Sequence, residues 1–343
     1  MARISDVAEC ANVSSMTVSR VLRGDPMVSV EAREKVLSAV QKLNYVPNES
    51  ARRLKQFQRK KMALNRTGNL GCVVFASYKY SDPYFSKVLE GIDEEVIRAH
   101  RHLAYVYTES QLTARPELLV NKINPEQVDG LLAVGIAAAT MIQTLKRRVQ
   151  TIITVDGTLD ESLDSIEVEK IEAAYNAVRY LAGLGHRRIG FIGDYPGAEA
   201  RYVGYAAAMR DLGLQENPRW MYWERCDWYV EHGYAFMQRI LARGQPLPTA
   251  VFAASDSLAI GAMRAIAENH LNVPDDISVI GYNDIDEARY SVPPLTTMRV
   301  RKQEMGKLAV RRLLERIENP GMPPLKTMLH AELVERASCR RIV

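Results

Sequence analysis

A chain of 343 residues is long enough for two or three domains, each with its own core. Its 47% hydrophobic and 25% charged content is that of a soluble globular protein, and no run approaches the about 18 apolar residues of a membrane span. The opening "MARISDVAEC" carries Asp6 where a signal peptide would need an apolar core, and the scattered Cys10, Cys72, Cys226 and Cys339 form no C-x-x-C pair. These features argue against export, a disulfide framework, a zinc site or a redox couple, and lead us to expect a cytoplasmic protein without cofactor or metal.

Charge is unevenly spread. Residues 1–66 hold 13 Lys/Arg against 6 Asp/Glu, while the remainder holds 32 against 35. A basic head on a slightly acidic body suits contact with a polyanion, with a merely solubilising charged segment as the alternative.

Three helices are expected in the head. The first runs from about Ile4 to Ala11, with Ser5 available as a cap and Ile4, Val7, Ala8 and Ala11 at helical spacing. Asn12-Val13-Ser14 makes a tight turn, and Ser14 or Ser15 caps a second helix to about Leu22. Its Val18, Val21 and Leu22 point inward, leaving Ser15, Met16, Ser19 and Arg20 outward. After "RGDP", Ser29 caps a third helix to about Leu43 with an expected core stripe of Val30, Val36, Leu37, Val40 and Leu43. Two short helices joined by a tight turn, the second opening on small polar residues, make a helix-turn-helix, whose second helix enters the major groove. A generic three-helix bundle fits the pattern alone; the basic excess favours DNA.

Next comes "VPNESARRLKQFQRKK", polar and basic around a lone Leu54. From Asn69 the chain alternates apolar strand runs ("LGCVVFAS", "LAYVYT", "VDGLLAVG", "TIITVDG", "RIGFIGD", "TAVFAAS", "ISVIGYND") with amphipathic helices over about 84–99, 171–184, 201–212, 229–242 and 258–270. Such alternation means parallel sheets flanked by helices, and the number of strands suggests two α/β subdomains. Ligands bind beyond the carboxyl ends of such strands, at residues 77–85, 135–137, 194–201, 227–228, 255–256 and 282–284. Aromatic rings, one arginine and short polar groups there suit a small polar ligand such as a sugar. Tyr84 and Phe85 could equally be core, and Asp256 and Asp284 helix caps. No phosphate-binding loop, dinucleotide fingerprint or nucleophile elbow occurs, and His100, His102, His186, His232, His270 and His330 form no evident cluster, most of them expected at the surface, so no enzyme is expected.

The head, "ISDVAECANVSSMTVSRVLRGDPMVSVEAREKVLSAVQKLNYVPNESARRL", closely resembles the headpiece of the lactose-repressor/galactose-repressor (LacI/GalR) family. The body resembles that family's effector domain in "DPYFSKVLEGIDEEV", "YLAGLGHRRIGFIG", "PTAVFAASDSLAIGAMRA", "VPDDISVIGYND" and "PPLTTMRV". The resemblance implies a helix-turn-helix headpiece (1–47), a hinge helix (48–56), a linker (57–68) and a periplasmic-binding-protein-like body (69–343). The body would have two doubly wound parallel-sheet lobes, roughly 69–168 with 298–325 and 169–297 with 326–343, crossed by the chain three times.

The same resemblance implies roles. Ser15, Met16 and Arg20 would read base edges, Arg20 by a bidentate pair with guanine. Ser5, Thr17, Ser29, Asn48, Arg52, Arg53 and Lys55 would touch phosphates, and Leu54 would wedge into the minor groove. Tyr84, Phe85, Arg201, Trp228, Ser255, Asp256 and Asn283 would surround the effector. Asn283 stands where many relatives carry Asp, Ser255 where sugar-binding members often carry Asn, and Gln56–Thr67 is longer than usual. With no heptad tail after "AELVERAS", a homodimer is expected on a near-palindromic double-stranded operator. The expected function is a repressor of carbohydrate uptake or catabolism genes under a sugar effector, with no membrane contact.

Overall fold

The computed structural model describes residues 4–22, 28–43, 66–75, 82–157, 160–194 and 199–342, with backbone alone at Ile4, Ser5 and Ser19. The chain divides into two units, 1–66 and 67–343.

The first unit holds α1 (Ile4–Cys10), α2 (Ser15–Val21) and α3 (Val30–Lys42). Asn12 takes the left-handed conformation (φ 51°) that the turn between α1 and α2 requires. Ser14, not Ser15, caps α2: its Oγ accepts from the Thr17 N–H at 3.1 Å. Ser29 caps α3 through the Ala32 N–H at 3.4 Å. Val7, Ala8, Ala11, Val18, Val21, Val36 and Ala39 close the core. Val30 and Leu37 are exposed, against expectation. At 100° per residue both lie roughly 100° or more round α3 from Val36, and two short helices cover only a narrow stripe.

The second unit contains two six-stranded sheets. The first joins β1 (Asn69–Phe75), β2 (His102–Thr108), β3 (Gly130–Gly135), β4 (Ile152–Val155), β5 (Asp164–Val168) and β11 (Lys326–Leu329) in the order β11-β5-β4-β3-β1-β2. The second joins β6 (Ile189–Gly193), β7 (Met221–Trp223), β8 (Ala250–Ala253), β9 (Ser278–Asn283), β10 (Thr296–Arg299) and β12 (Glu332–Val334) in the order β12-β10-β9-β8-β6-β7. Pairing is parallel throughout except between β10 and β12. Leu70, Cys72, Val74, Leu132, Val134, Phe191, Phe252 and Ile280 are buried on these strands, as strands covered on both faces must be.

Helices Pro83–Arg98 and Lys302–Glu318 pack together on the first sheet. Their axes approach closely because Gly91 and Gly306 face each other: a Cβ on Gly91 would overlap the Gln303 carbonyl, and one on Gly306 the Val88 carbonyl. Helices Lys170–Gly183 and Ala200–Asp211 pair on the second lobe, as do Val230–Leu241 and Asp256–Glu268.

The chain crosses between lobes after β5, after β10 and after β11. The last crossing falls later than the expected 325/326 boundary, and β10 stays with the second lobe. The reason is a charged anchor: Asp164 on β5 pairs with Arg312 (2.6 Å) and Arg316 (3.0 Å) of the returning helix and accepts from the Leu325 N–H (3.0 Å). That anchor seats β11 beside β5.

Candidate effector cleft and DNA-reading helix

The carboxyl ends of β1, β3, β4, β5, β6, β8 and β9 meet at one cleft of about 800 Å³ between the lobes. Tyr84, Phe85, Arg201, Trp228, Ser255 and Asn283 all line it. Asp256 does not. Its carboxylate is fully buried, accepting from the Ile285 N–H at 2.8 Å and from the Thr297 hydroxyl. Burial pushes it up to about 7, against the pull of those donors and of Lys302. The helix cap is Ser255, whose Oγ accepts from the Leu258 N–H at 3.2 Å.

From the first lobe, Asp82 caps helix Pro83–Arg98 by accepting from the N–H groups of Tyr84 (2.8 Å) and Phe85 (3.0 Å). This cap fixes the two rings at the cleft edge, centroids 5.1 Å apart and edge-to-face. Burial pushes Asp82 above its ordinary value, outweighing the two donors. Asp156, just past β4, pairs with Lys170 at 2.9 Å.

From the second lobe, Glu199 caps helix Ala200–Asp211 and holds the Arg201 guanidinium at two points, Nε to Oε1 at 2.6 Å and Nη2 to Oε2 at 3.0 Å. Nη1 donates to the Ala254 carbonyl at 2.8 Å. Three of its five N–H groups are therefore engaged. The guanidinium carbon lies 4.3 Å from the Trp228 ring centroid, a cation–π distance. Burial opposes both charges, yet the pair outweighs it, holding Glu199 below and Arg201 above their ordinary values.

Trp228 (φ 64°) and Asn283 (φ 112°) hold backbone conformations that cost energy and cluster where ligands bind. The Asn283 turn is fixed from behind. Asp284 pairs with Arg299 (2.7 Å) and Arg336 (2.6 Å), and Lys302 donates to the carbonyls of Asn283 and Asp284. Asp156, Lys170 and Cys226, which also line the cleft, fall outside the strand-end windows expected from sequence, while Glu199 and Tyr282 fall inside them without an assigned role. Asp156 directly follows β4 and Lys170 opens helix Lys170–Gly183, so element-end position was the available signal for those two.

His186 departs from the surface position expected of most of the histidines: it is buried, its ring nitrogens 3.0 Å from Thr249 Oγ1 and 3.1 Å from the Arg340 carbonyl. Among the described residues no group of side chains could hold a metal, and no helix is long and apolar enough to cross a membrane.

In the first unit, α2 presents Ser15, Met16 and Arg20 to the outside, Met16 with 67% exposure. Thr17 is half-buried, its hydroxyl 2.9 Å from Ser14 Oγ, and Ser29 is exposed. Ser5 is described by backbone only. Asn48, Arg52, Arg53, Leu54 and Lys55, with the hinge helix and residues 57–65 of the linker, lie outside the described residues.

Comparison with known proteins gives the same two parts. Residues 3–48 match the profile of bacterial regulatory proteins of the lacI family, and 178–339 that of a periplasmic binding protein-like domain. The HTH-type transcriptional repressor PurR of Pasteurella multocida is 35% identical, with 99% of each chain covered. The chain belongs to the LacI family. PurR of Haemophilus influenzae (strain PittEE) is 34% identical over the whole of both chains. Among solved structures, a lac repressor dimer bound to operator and the anti-inducer ONPF matches with a TM-score of 0.69 at 27% identity, covering 99% of each chain. The transcriptional regulator CelR in complex with cellobiose matches with a TM-score of 0.71 at 25% identity, covering 98% of this chain and all of the other.

The expected fold is the one found: a helix-turn-helix head followed by a periplasmic-binding-protein-like body of two parallel-sheet lobes. This LacI-family chain is a DNA-binding transcriptional regulator. The sugar effector expected from sequence is not supported, since the two relatives above that match end to end are PurR repressors.

Proposed function

We propose that this chain is a transcriptional repressor whose operator affinity is set by a small molecule in the inter-lobe cleft. One observation carries the reading: a head with an exposed, polar-ended α2 shares a chain with a two-lobed cleft at the carboxyl ends of both sheets. Arg20, Ser15 and Met16 would read bases, and Thr17, Ser29 and the basic residues after Asn48 would hold phosphates. Leu54 would be the minor-groove wedge. Trp228 and the Tyr84–Phe85 edge suit an effector with a flat face. Arg201, largely engaged by Glu199 and Ala254, supports Trp228 more than it offers a free charge.

A homodimer fits an exposed apolar face on the second lobe. Tyr290 and Val292 are 82% and 92% exposed, and Tyr290 lines a groove with Ile260, Asp286, Glu287 and Ser291. The structural relative carrying the operator is itself a dimer.

Operator selection from random duplexes by the full-length chain tests the reading. A near-palindromic sequence should emerge, and Arg20→Ala should weaken it by about 1–3 kcal/mol while barely changing non-specific binding. Equal losses on both kinds of DNA would remove Arg20 from base reading.

A further inference from the structure

Asn283, which lines the cleft, and Asp284 are consecutive non-glycine residues with positive φ (112° and 51°). Such a turn costs energy and persists only where its surroundings hold it. Part of the hold comes from its own lobe: Asp256 accepts from the Ile285 N–H at 2.8 Å, and Arg299 and Arg336 pair with the Asp284 carboxylate. The rest crosses between lobes. Lys302, with 8% exposure, donates its ammonium to the carbonyls of Asn283 and Asp284, the latter at 2.9 Å. Burial lowers this ammonium below its ordinary value, and the Asp256 and Asp284 carboxylates oppose that shift.

Lys302 is the first residue of helix Lys302–Glu318, which packs on the first sheet. Its ammonium is therefore a first-lobe group closed on a second-lobe turn. Arg301, one residue earlier, pairs at 2.7 Å with Glu332, the first residue of β12, so the chain's second and third crossings are tied at the same place. Helix Lys302–Glu318 also packs closely against Pro83–Arg98, whose first turn carries Tyr84 and Phe85, and the Tyr84 hydroxyl lies 4.0 Å from Met305 Sδ. Resting on the reading of this cleft as the effector site, we infer that Lys302 is a positioning residue: it sets the Asn283 turn against the effector and carries movement of that turn into the first lobe. Operator and effector then bias one contact, and each changes the other's affinity through it.

The test is hydrogen exchange at the amides of Asn283, Asp284 and Ile285 in the full chain, with and without the operator duplex that selection yields. In the wild type the duplex should change exchange there by about fivefold or more. In Lys302→Met that operator-dependent ratio should fall below about twofold, while Lys302→Arg, which keeps donors for both carbonyls, should retain it. A purely structural clamp would speed exchange in Lys302→Met by the same factor with and without the duplex and leave the ratio intact, and that result overturns the assignment. Wild-type amides that do not respond to the duplex overturn it as well. If Lys302→Met does not fold, Lys302→Gln, with a shorter and uncharged donor, takes its place, and the same loss of the ratio is required. A chain that selects no operator fails as a regulator, a result distinct from any failure at Lys302.

Discussion

Arg201 and Glu199 are two residues apart in sequence and joined at two points, 2.6 Å and 3.0 Å, on a side of the cleft. Both are largely buried, and the pair is one unit with the Trp228 ring above it. Removing one partner strands the other charge. Arg201→Ala should therefore cost about 3 kcal/mol or more in urea unfolding, with most of that loss recovered in the Glu199→Ala, Arg201→Ala double variant. If the single and double variants are equally unstable, the pair is not the unit described.

Asp256 gives a pH signature. Burial raises its folded value to about 7 from an ordinary 3.8. Between those values the native state holds a proton that the unfolded chain has released, so stability falls as pH rises through this window and levels above about 7. The slope from this one group approaches about 1.4 kcal/mol per pH unit. Unfolding measured from pH 4.5 to 8 should show a stability difference between wild type and Asp256→Asn that changes in this window. Parallel curves would mean that the carboxyl titrates near its ordinary value.

Much of this architecture was legible because uniformly apolar runs such as "GLLAVG" and "SVIGYN" are strands with two covered faces. Strands β5 ("DSIEV") and β11 ("KTML") escaped that rule. Their place is set by Asp164 and its arginines, partners about 150 residues away that periodicity cannot reveal. In the head, apolar spacing overcounted: Val30 and Leu37 fit a helix but face away from its small core. The aromatic side chains of the cleft were legible by position after strands. Tyr282 falls in the 282–284 window but has no role assigned from sequence, because it stands in an apolar strand and only the structure distinguishes its buried unpaired hydroxyl from ordinary core.

The exposed Tyr290 and Val292 predict a self-association face. Val292→Asp with Tyr290→Asp should turn a dimer into a monomer in sedimentation equilibrium at micromolar concentration. Operator affinity should fall with it, because paired heads gain from effective concentration on a two-half-site duplex. Dimers that survive both changes would place the interface elsewhere.

Asp129 predicts where the cleft acts on the start of the body. Its carboxylate accepts from the Thr67 N–H (2.7 Å), the Thr67 hydroxyl (3.0 Å) and the Gly68 N–H (3.0 Å), so one side chain ties down both Thr67 and Gly68. Asp129 immediately precedes β3, whose other end, Gly135, lines the cleft. A six-residue strand is a stiff link of about 20 Å between the two. Asp129→Ala should speed amide exchange at Thr67 and Gly68 by about tenfold or more, matching loss of about 1–3 kcal/mol of local hydrogen bonding. Effector affinity should change little, since the side chain is at the far end of the strand, while the effect of effector on operator affinity should shrink. The reciprocal effect of operator on effector affinity must shrink by the same factor. Unchanged exchange at Thr67 and Gly68 would show that the carboxylate does not hold the start of the body.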